Sequence, residues 1–145
     1  MSATNKEIVR RATEEPWRNP DVLDELVSPD YVAHDPAVPE PVRGIEGAKE
    51  QINMYRSAFE GAQITVSEQI GEGDLVATRW EGRGRHTGEI MGVAPTGRDV
   101  VVSGITLSRV EGGKIVEEWS NWDTLGMLQQ VGAVPTEAPA QSRAT

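Results

Sequence analysis

In four stretches of the chain, apolar residues recur every three or four positions, which is the spacing of an amphipathic helix. In the clearest stretch, glycines lie at both ends and one face carries Ala48, Ile52, Tyr55 and Phe59. The pattern predicts helices over residues 4–15, 20–26, 44–61 and 124–132.

After the third helix the period of the pattern changes from 3.6 to 2, which predicts β-strands. The alternation covers residues 64–70, 75–91, 99–110 and 115–123, with glycine-rich turns between them. Glycines inside the second of these strands suggest a bulge or bend. Residues 31–44 contain three prolines and read as a short extended piece followed by a loop.

Helices followed by a meander of long antiparallel strands predict an α+β domain in which a curved sheet wraps around the N-terminal helices. Such a sheet, covered on one side by helices, leaves a cone with an open mouth, which suits a small and mostly apolar molecule. We expect a single domain over residues 1–134. Residues 135–145 have almost no core-forming side chains and are predicted to be a disordered tail.

Composition narrows the classes of partner and compartment. The 145-residue chain has 14 basic and 23 acidic residues, a net charge of −9, so nucleic acid and anionic membrane surfaces are not expected partners. The absence of cysteine excludes disulfides, thiolate catalysis and cysteine-ligated metal sites. The first fifteen residues are polar and do not resemble a signal peptide, which predicts a cytoplasmic protein.

Four segments together resemble the SnoaL-like polyketide cyclases, a branch of the nuclear transport factor 2-like superfamily. They are Y-V-A-H-D-P (31–36), R-G-I-E-G-A-K (43–49), G-R-H-T-G-E-I-M-G-V-A-P-T-G-R (84–98) and G-K-I-V-E-E-W-S-N-W-D (113–123). The resemblance implies a cone-shaped (cystatin-like) α+β barrel and a homodimer formed through the open sheet face. It also implies an intramolecular aldol condensation that needs no metal or organic cofactor.

The last strand contains the strongest candidate for catalysis. Alternation places Glu117, Trp119 and Asp123 on one face and Glu118 and Trp122 on the other, so parity alone does not say which face lies inside. The resemblance puts the first face in the pocket, with Asp123 as the acid/base. A carboxylate in an apolar cone would have a raised pKa suited to proton transfer. The structural alternative is that Asp123 is the N-cap of the helix that follows.

The two histidines are candidate donors to an enolate oxygen. His34 precedes a proline turn, where a histidine is usually structural, and only the resemblance gives it a catalytic role. His86 shares strand parity with Trp80 and two glycines, which favours that face being inside, but a position at the rim remains open. Arg79 has the opposite parity and reaches the cavity only if a bulge intervenes; otherwise it lies on a solvated face.

Four further residues are candidates for contact with a substrate. Tyr31, Trp80 and Trp119 are predicted walls of the cavity, and Met91 is expected near its mouth. The spacing of the histidines and Asp123 matches no metal-ligand signature, so no metal site is predicted.

These residues predict an enzyme that acts on a small apolar carbonyl compound. Asp123 would remove a proton next to a carbonyl, a histidine would stabilise the enolate, and the carbanion would close the ring. Three alternatives remain open. The first is epoxide hydrolysis or dehydration in the same pocket, with Arg79, Glu81 and Asp123 as the acid–base set. The second is a protein of this fold that binds a small apolar molecule in the cone without catalysis, and the third is a stress or housekeeping protein of the family with no reaction.

Overall fold

The computed structural model describes residues 2–136, so the predicted tail lies outside the described residues from position 137 onward. The helices are α1 (Ser2–Glu14), α2 (Leu23–Leu26), α3 (Gly44–Ala58) and α4 (Thr124–Gln130). All four fall within or close to the predicted stretches. The second predicted helix is divided between a 3₁₀ turn, Pro20–Val22, and the single turn of α2. None of the helices in residues 2–136 is long and apolar enough to cross a membrane.

Six strands form one curved, unclosed sheet. They are β1 (Val27–His34), β2 (Val42–Arg43), β3 (Phe59–Glu72), β4 (Leu75–His86), β5 (Asp99–Glu111) and β6 (Lys114–Trp122). Their order across the sheet is β2-β1-β6-β5-β4-β3. Helix α1 packs on β3 and β4, and α3 packs on β1 and β3, so the helices cover one face of the sheet.

The expectation of a wholly antiparallel sheet is wrong at one pair of strands. Strands β3 to β6 form the predicted antiparallel meander, whereas β1 pairs with β6 in parallel. The sheet is therefore mixed. Residue periodicity identifies a strand but carries no information about the direction of a distant partner.

Strand β4 is shorter and more regular than predicted. It ends at His86, and its register with β5 is unbroken from Leu75 opposite Arg109 to Arg85 opposite Asp99. The irregularities in this part of the sheet are in the pairing of β3 with β4. Residues 87–98 form a loop that includes a tight turn between Ile90 and Val93. Strand β4 therefore has no bulge between Arg79 and His86, the condition under which Arg79 would have reached the cavity.

Strand β6 contains one extra residue. Arg109 pairs with Glu117 but Val110 pairs with Ile115, which leaves Val116 without a partner on β5. Such a bulge reverses the alternation of side chains. Ile115 is fully buried in the core, and beyond the bulge its face of the strand continues with Glu118.

Candidate functional site

A partly open cavity of about 220 Å³ lies between the concave face of the sheet and the helices. Its walls are mostly apolar. The aromatic side chains that line it are Trp17, Tyr31, Tyr55, Phe59, Trp80 and Trp122. This is the mostly apolar cavity with an open mouth that the cone-shaped fold predicted.

Glu118 provides a buried carboxylate to this cavity. Its Oε1 accepts a hydrogen bond of 2.6 Å from the hydroxyl of Tyr31, and its Oε2 accepts one of 2.6 Å from the hydroxyl of Ser108. Tyr31 lies on β1 and Ser108 on β5, the two neighbours of β6 in the sheet. The carboxylate is therefore held from both sides, with its orientation fixed.

Burial controls the titration of this group. Removal from water raises the pKa of Glu118 above its ordinary value of 4.5, although the hydrogen bonds from Ser108 and Tyr31 act in the opposite direction. Burial, together with the nearby charge of Glu118, raises the pKa of Tyr31 well above 10, so Tyr31 remains a hydrogen-bond donor. A carboxyl with a raised pKa is suited to exchanging protons with a bound substrate.

A second polar pair lies next to Glu118 along the strands. Thr106 on β5 is opposite Ser120 on β6, and their hydroxyl oxygens are 2.8 Å apart. The indole N–H of Trp80 donates to Thr106 Oγ1 at 3.0 Å. All three residues line the cavity.

The third polar group of the cavity is Asp35, which follows β1. Its Oδ2 accepts a 3.0 Å hydrogen bond from the indole N–H of Trp122, and its Oδ1 accepts one of 2.8 Å from the backbone of Ala37. The ring of Tyr55 meets that of Trp122 edge-on, with centroids 6.1 Å apart. Burial, with a smaller contribution from the charge of Asp35, raises the pKa of Tyr55 to about 12.

Asp123, the predicted acid/base, lies outside this cavity. It is exposed, and its Oδ1 accepts a 2.8 Å hydrogen bond from the backbone N–H of Gly126, so it is the N-cap of α4. The structure therefore supports the alternative in which Asp123 caps the helix, and not its role as the acid/base. The bulge at Val116 explains the error, because beyond it the face that bears Glu117 turns away from the cavity. A titratable group remains in the cavity, since Glu118 occupies the face that had been assigned to the outside.

His86 lies on the inner face of β4, as its parity favoured, but it is fully buried and does not line the cavity. Its Nδ1 accepts a 3.2 Å hydrogen bond from the backbone N–H of Thr96, and the Thr96 hydroxyl is 3.0 Å away. A ring nitrogen that accepts carries no proton, so the neutral ring is protonated on Nε2. The geometry gives His86 a structural role, which is to anchor the 87–98 loop to the end of β4.

His34 lies at the rim of the cavity, but its imidazole makes its contacts on the outer face of the sheet. Its Nε2 is 2.7 Å from Glu117 Oε2, and its ring stacks on Trp119 at 5.7 Å between centroids. Trp119 lines a separate outer groove and not the cavity, so its prediction as a cavity wall is wrong. The two predicted walls that do line the cavity are Tyr31 and Trp80.

The remaining predicted contacts also lie outside the cavity. Arg79 is exposed and pairs with Glu68 at 2.7 Å, because the unbroken register of β4 keeps it on the outer face. Glu81 shares that face and pairs with Arg83 at 2.6 Å. Met91 is exposed in the turn of the 87–98 loop, with a positive φ of 48°. The acid–base set of Arg79, Glu81 and Asp123 that an epoxide hydrolase would need is therefore not assembled.

The model of the family described as SnoaL-like polyketide cyclase matches residues 7–131. The chain belongs to the SnoaL-like polyketide cyclase family. It is 29% identical to aklanonic acid methyl ester cyclase DnrD of Streptomyces peucetius over 137 residues, which cover 90% of this chain and 92% of the relative.

Solved structures agree with membership of the SnoaL-like family. The candidate polyketide cyclase IdmH of Streptomyces antibioticus is 35% identical, with a TM-score of 0.76 over 88% of this chain and 98% of the other. A Catenulispora acidiphila protein with a ketosteroid isomerase-like fold, 23% identical, has a TM-score of 0.75 over 92% of this chain and 98% of its own. The cone is therefore the nuclear transport factor 2-like fold that the resemblance implied.

Within this SnoaL-like fold, sequence reasoning missed Glu118. One signal for it was present, because the consecutive residues Glu117 and Glu118 of one strand must face opposite sides of the sheet. With helices covering one side, one of the two glutamates has to lie beneath them. Parity could not say which, since the bulge at Val116 is not visible in the pattern of residues.

Proposed function

We propose that this protein is an enzyme of the polyketide cyclase type that closes a ring by intramolecular aldol condensation, with Glu118 as its acid/base. The observation that carries the proposal is the buried Glu118 carboxylate, oriented by Tyr31 and Ser108 in an apolar cavity. Family membership supports the reaction class, and DnrD, whose name gives aklanonic acid methyl ester as its substrate, supports the substrate class.

In the first step the Glu118 carboxylate removes a proton from the carbon next to a substrate carbonyl, and the electron pair of that C–H bond forms an enolate. The enolate carbon then attacks a second carbonyl of the same molecule, which forms the C–C bond and an alkoxide. The alkoxide takes the proton back from the Glu118 carboxyl. Atoms balance, and no net change in oxidation state occurs, so the reaction requires no redox cofactor.

The surroundings of Glu118 suit both halves of this cycle. The raised pKa brings the carboxyl closer to neutrality, where a group can both take up and release a proton. Tyr31 and Ser108 hold it in one position, and the aromatic walls fold an apolar substrate so that its two carbonyls meet.

The decisive experiment compares two adjacent glutamates. Glu118→Gln removes the proposed base, and Glu117→Gln makes the same chemical change one residue away, on the outer face of the sheet. With aklanonic acid methyl ester as substrate, we expect Glu118→Gln to lower kcat by about 10²- to 10⁴-fold, the usual contribution of a general base. Glu117→Gln should remain within about twofold of the wild type, because its contact is with His34 outside the cavity.

The same pair of variants separates the proposal from the alternatives. A protein that only binds a small molecule would turn over no substrate, and Glu118→Gln would then leave ligand affinity nearly unchanged. If Glu118→Gln is folded and as active as the wild type, the acid/base assignment is wrong.

We propose that a second copy of this chain covers the outer face of β5, as the resemblance implied. Three apolar side chains alternate along that face and are exposed: Val101, Ile105 and Leu107. Apolar groups in one row of a sheet are costly to leave in water, and a symmetric partner would cover them with the same row of its own.

A further inference from the structure

The proposed reaction forms a negatively charged enolate oxygen, and that oxygen needs a hydrogen-bond donor inside the cavity. The histidines do not supply it, since His86 does not line the cavity and the imidazole of His34 contacts Glu117 and Trp119. The hydroxyl of Tyr31 is used by Glu118, and the indole N–H of Trp122 is used by Asp35. The Tyr31 and Trp122 donors are thus already engaged. The hydroxyl of Tyr55 also lines the cavity and is buried without a hydrogen-bond partner among the described residues, but its ring packs against Trp122, four residues along β6 from Glu118.

The hydroxyls of Thr106 and Ser120 differ from the Tyr31 and Trp122 donors because one of their two protons has no acceptor within the described part of the chain. The indole N–H of Trp80 can only donate, so Thr106 Oγ1 accepts from it. The two hydroxyls share a single hydrogen bond of 2.8 Å. Two hydroxyl protons and one shared bond leave one proton unused, whichever hydroxyl donates, and no other side chain or backbone group of residues 2–136 bonds to either oxygen.

We propose that the Thr106–Ser120 hydroxyl pair is the donor that stabilises the enolate oxygen of the substrate. This inference rests on the proposed function, because it assigns a role within the same proton abstraction. The Thr106–Ser120 pair lies two positions along the same two strands from the Ser108–Glu118 pair, and therefore on the same face of the sheet. Two residues along a strand correspond to about 7 Å, which leaves room for a C–H bond at Glu118 and the adjacent carbonyl oxygen at the hydroxyl pair.

Trp80 strengthens the hydroxyl donor through its own hydrogen bond to Thr106. When its N–H donates to Thr106 and Thr106 donates to Ser120, the three groups form a chain that ends in the O–H of Ser120, a residue that lines the cavity. Each hydrogen bond in such a chain polarises the next. The chain explains why a tryptophan of the cavity wall turns its polar edge towards the sheet.

Whichever hydroxyl donates the shared hydrogen bond, one hydroxyl proton is left over. Either hydroxyl alone can therefore still donate to the enolate oxygen. Ser120→Ala leaves the Thr106 proton free, and Thr106→Val leaves the Ser120 proton free. We therefore expect each single variant to lose less than tenfold in kcat. The double variant has neither hydroxyl of the pair and should lose at least 100-fold, in line with the roughly 10²- to 10³-fold cost of removing an oxyanion donor.

The loss should appear in kcat with KM little changed, since the charge develops only in the transition state. Thr106→Ser keeps the hydroxyl, so this variant, with Ser120 unchanged, should have the activity of the wild type. Thr78→Val is the matched control. Thr78 lies opposite Thr106 on the same face of the sheet, but its hydroxyl bonds to Gln69 and it does not line the cavity.

A binding experiment tests the donor without turnover. 2-Naphthol places one oxygen on an apolar ring system and imitates an enolate, and naphthalene is the same ring system without the oxygen. The double variant should bind 2-naphthol about tenfold more weakly than the wild type does, with the affinity for naphthalene unchanged. Equal loss for both probes would mean that the substitutions had only disturbed the cavity, and would overturn the inference.

The outcomes separate the two proposals. If Glu118→Gln is inactive while the double hydroxyl variant keeps wild-type kcat and 2-naphthol affinity, only the assignment of Thr106 and Ser120 fails. If Glu118→Gln is fully active, the proposed acid/base fails, and the 2-naphthol measurement still decides whether the hydroxyl pair is a donor.

Discussion

Asp123 gives the sharpest prediction, because its two possible roles respond differently to two substitutions. As the N-cap of α4 it accepts one hydrogen bond, 2.8 Å from the N–H of Gly126. Alanine at this position removes the acceptor and should cost about 1 kcal/mol in the free energy of unfolding. For a chain of this size that corresponds to a fall of roughly 3 °C in Tm. Asparagine caps a helix as well as aspartate does, so Asp123→Asn should keep the Tm within about 1 °C.

Neither substitution at Asp123 should change the rate of catalysis. Asp123 is exposed and outside the cavity lining, so both variants are expected to keep kcat with aklanonic acid methyl ester within about threefold of the wild type. Thermal melts followed by circular dichroism, together with turnover of the ester, measure both quantities on the same samples. An Asp123→Asn protein with the wild-type Tm but a 100-fold lower kcat would refute the reasoning, because the loss would then come from the missing carboxylate and not from a missing helix cap.

Four further predictions follow from the same contacts. Tyr31→Phe removes a hydrogen bond that lowers the pKa of Glu118, so the acid limb of the pH profile of kcat/KM should move to higher pH. An acid limb that does not move would show that the titration of Glu118 does not control the rate. A group whose pKa is raised on folding stabilises the protein below its unfolded pKa and loses that contribution as pH rises through the folded value. The Tm of the wild type relative to Glu118→Gln should therefore decrease as the pH rises above 4.5, and a difference that grows with pH would contradict the raised pKa. Gly104→Ala would bring a Cβ to 2.5 Å from the ring of Trp80 and should cost about 1–3 kcal/mol by overpacking, measured by urea unfolding; an unchanged midpoint would show that the wall adapts. Ile105→Glu should convert a dimer to monomers in light scattering while keeping the circular dichroism spectrum of the folded protein, whereas a wild type that is already monomeric would contradict the proposal that a second copy covers this face.

Much of the fold could be predicted from local patterns. The steps between Ala48, Ile52 and Tyr55 indicated α3, which packs against the sheet. On β4, Gly82 and Gly84 correctly indicated the inner face, because small residues there leave room for the cavity that both of them line. In these cases the information lies within one element, in the spacing of its own residues.

The site could be predicted less well, because its geometry depends on relations between elements. Nothing in the residues around β1 states that it pairs in parallel with β6, yet this pairing brings Tyr31 to Glu118. His86 looked like a site residue because it was a histidine among glycines on an inner face. Its partner Thr96 lies ten residues away across a loop, and only the folded chain shows that this contact is structural.

The unpaired Val116 has a consequence for how relatives of this protein are compared. Beyond it, β6 carries two sets of side chains that could each line a pocket: Glu118, Ser120 and Trp122 on one side, and Glu117, Trp119 and Asn121 on the other. Deleting this valine would remove the bulge but keep Glu117 opposite Arg109 and Glu118 opposite Ser108, so the same set would still face the cavity. Keeping Val116 and pairing it regularly with β5 would instead exchange the two sets while leaving every chemical group in the chain. Aligned residues therefore do not establish equivalent active sites in a relative whose last strand pairs without the bulge. In this strand, local backbone pairing decides which side chains the cavity contains.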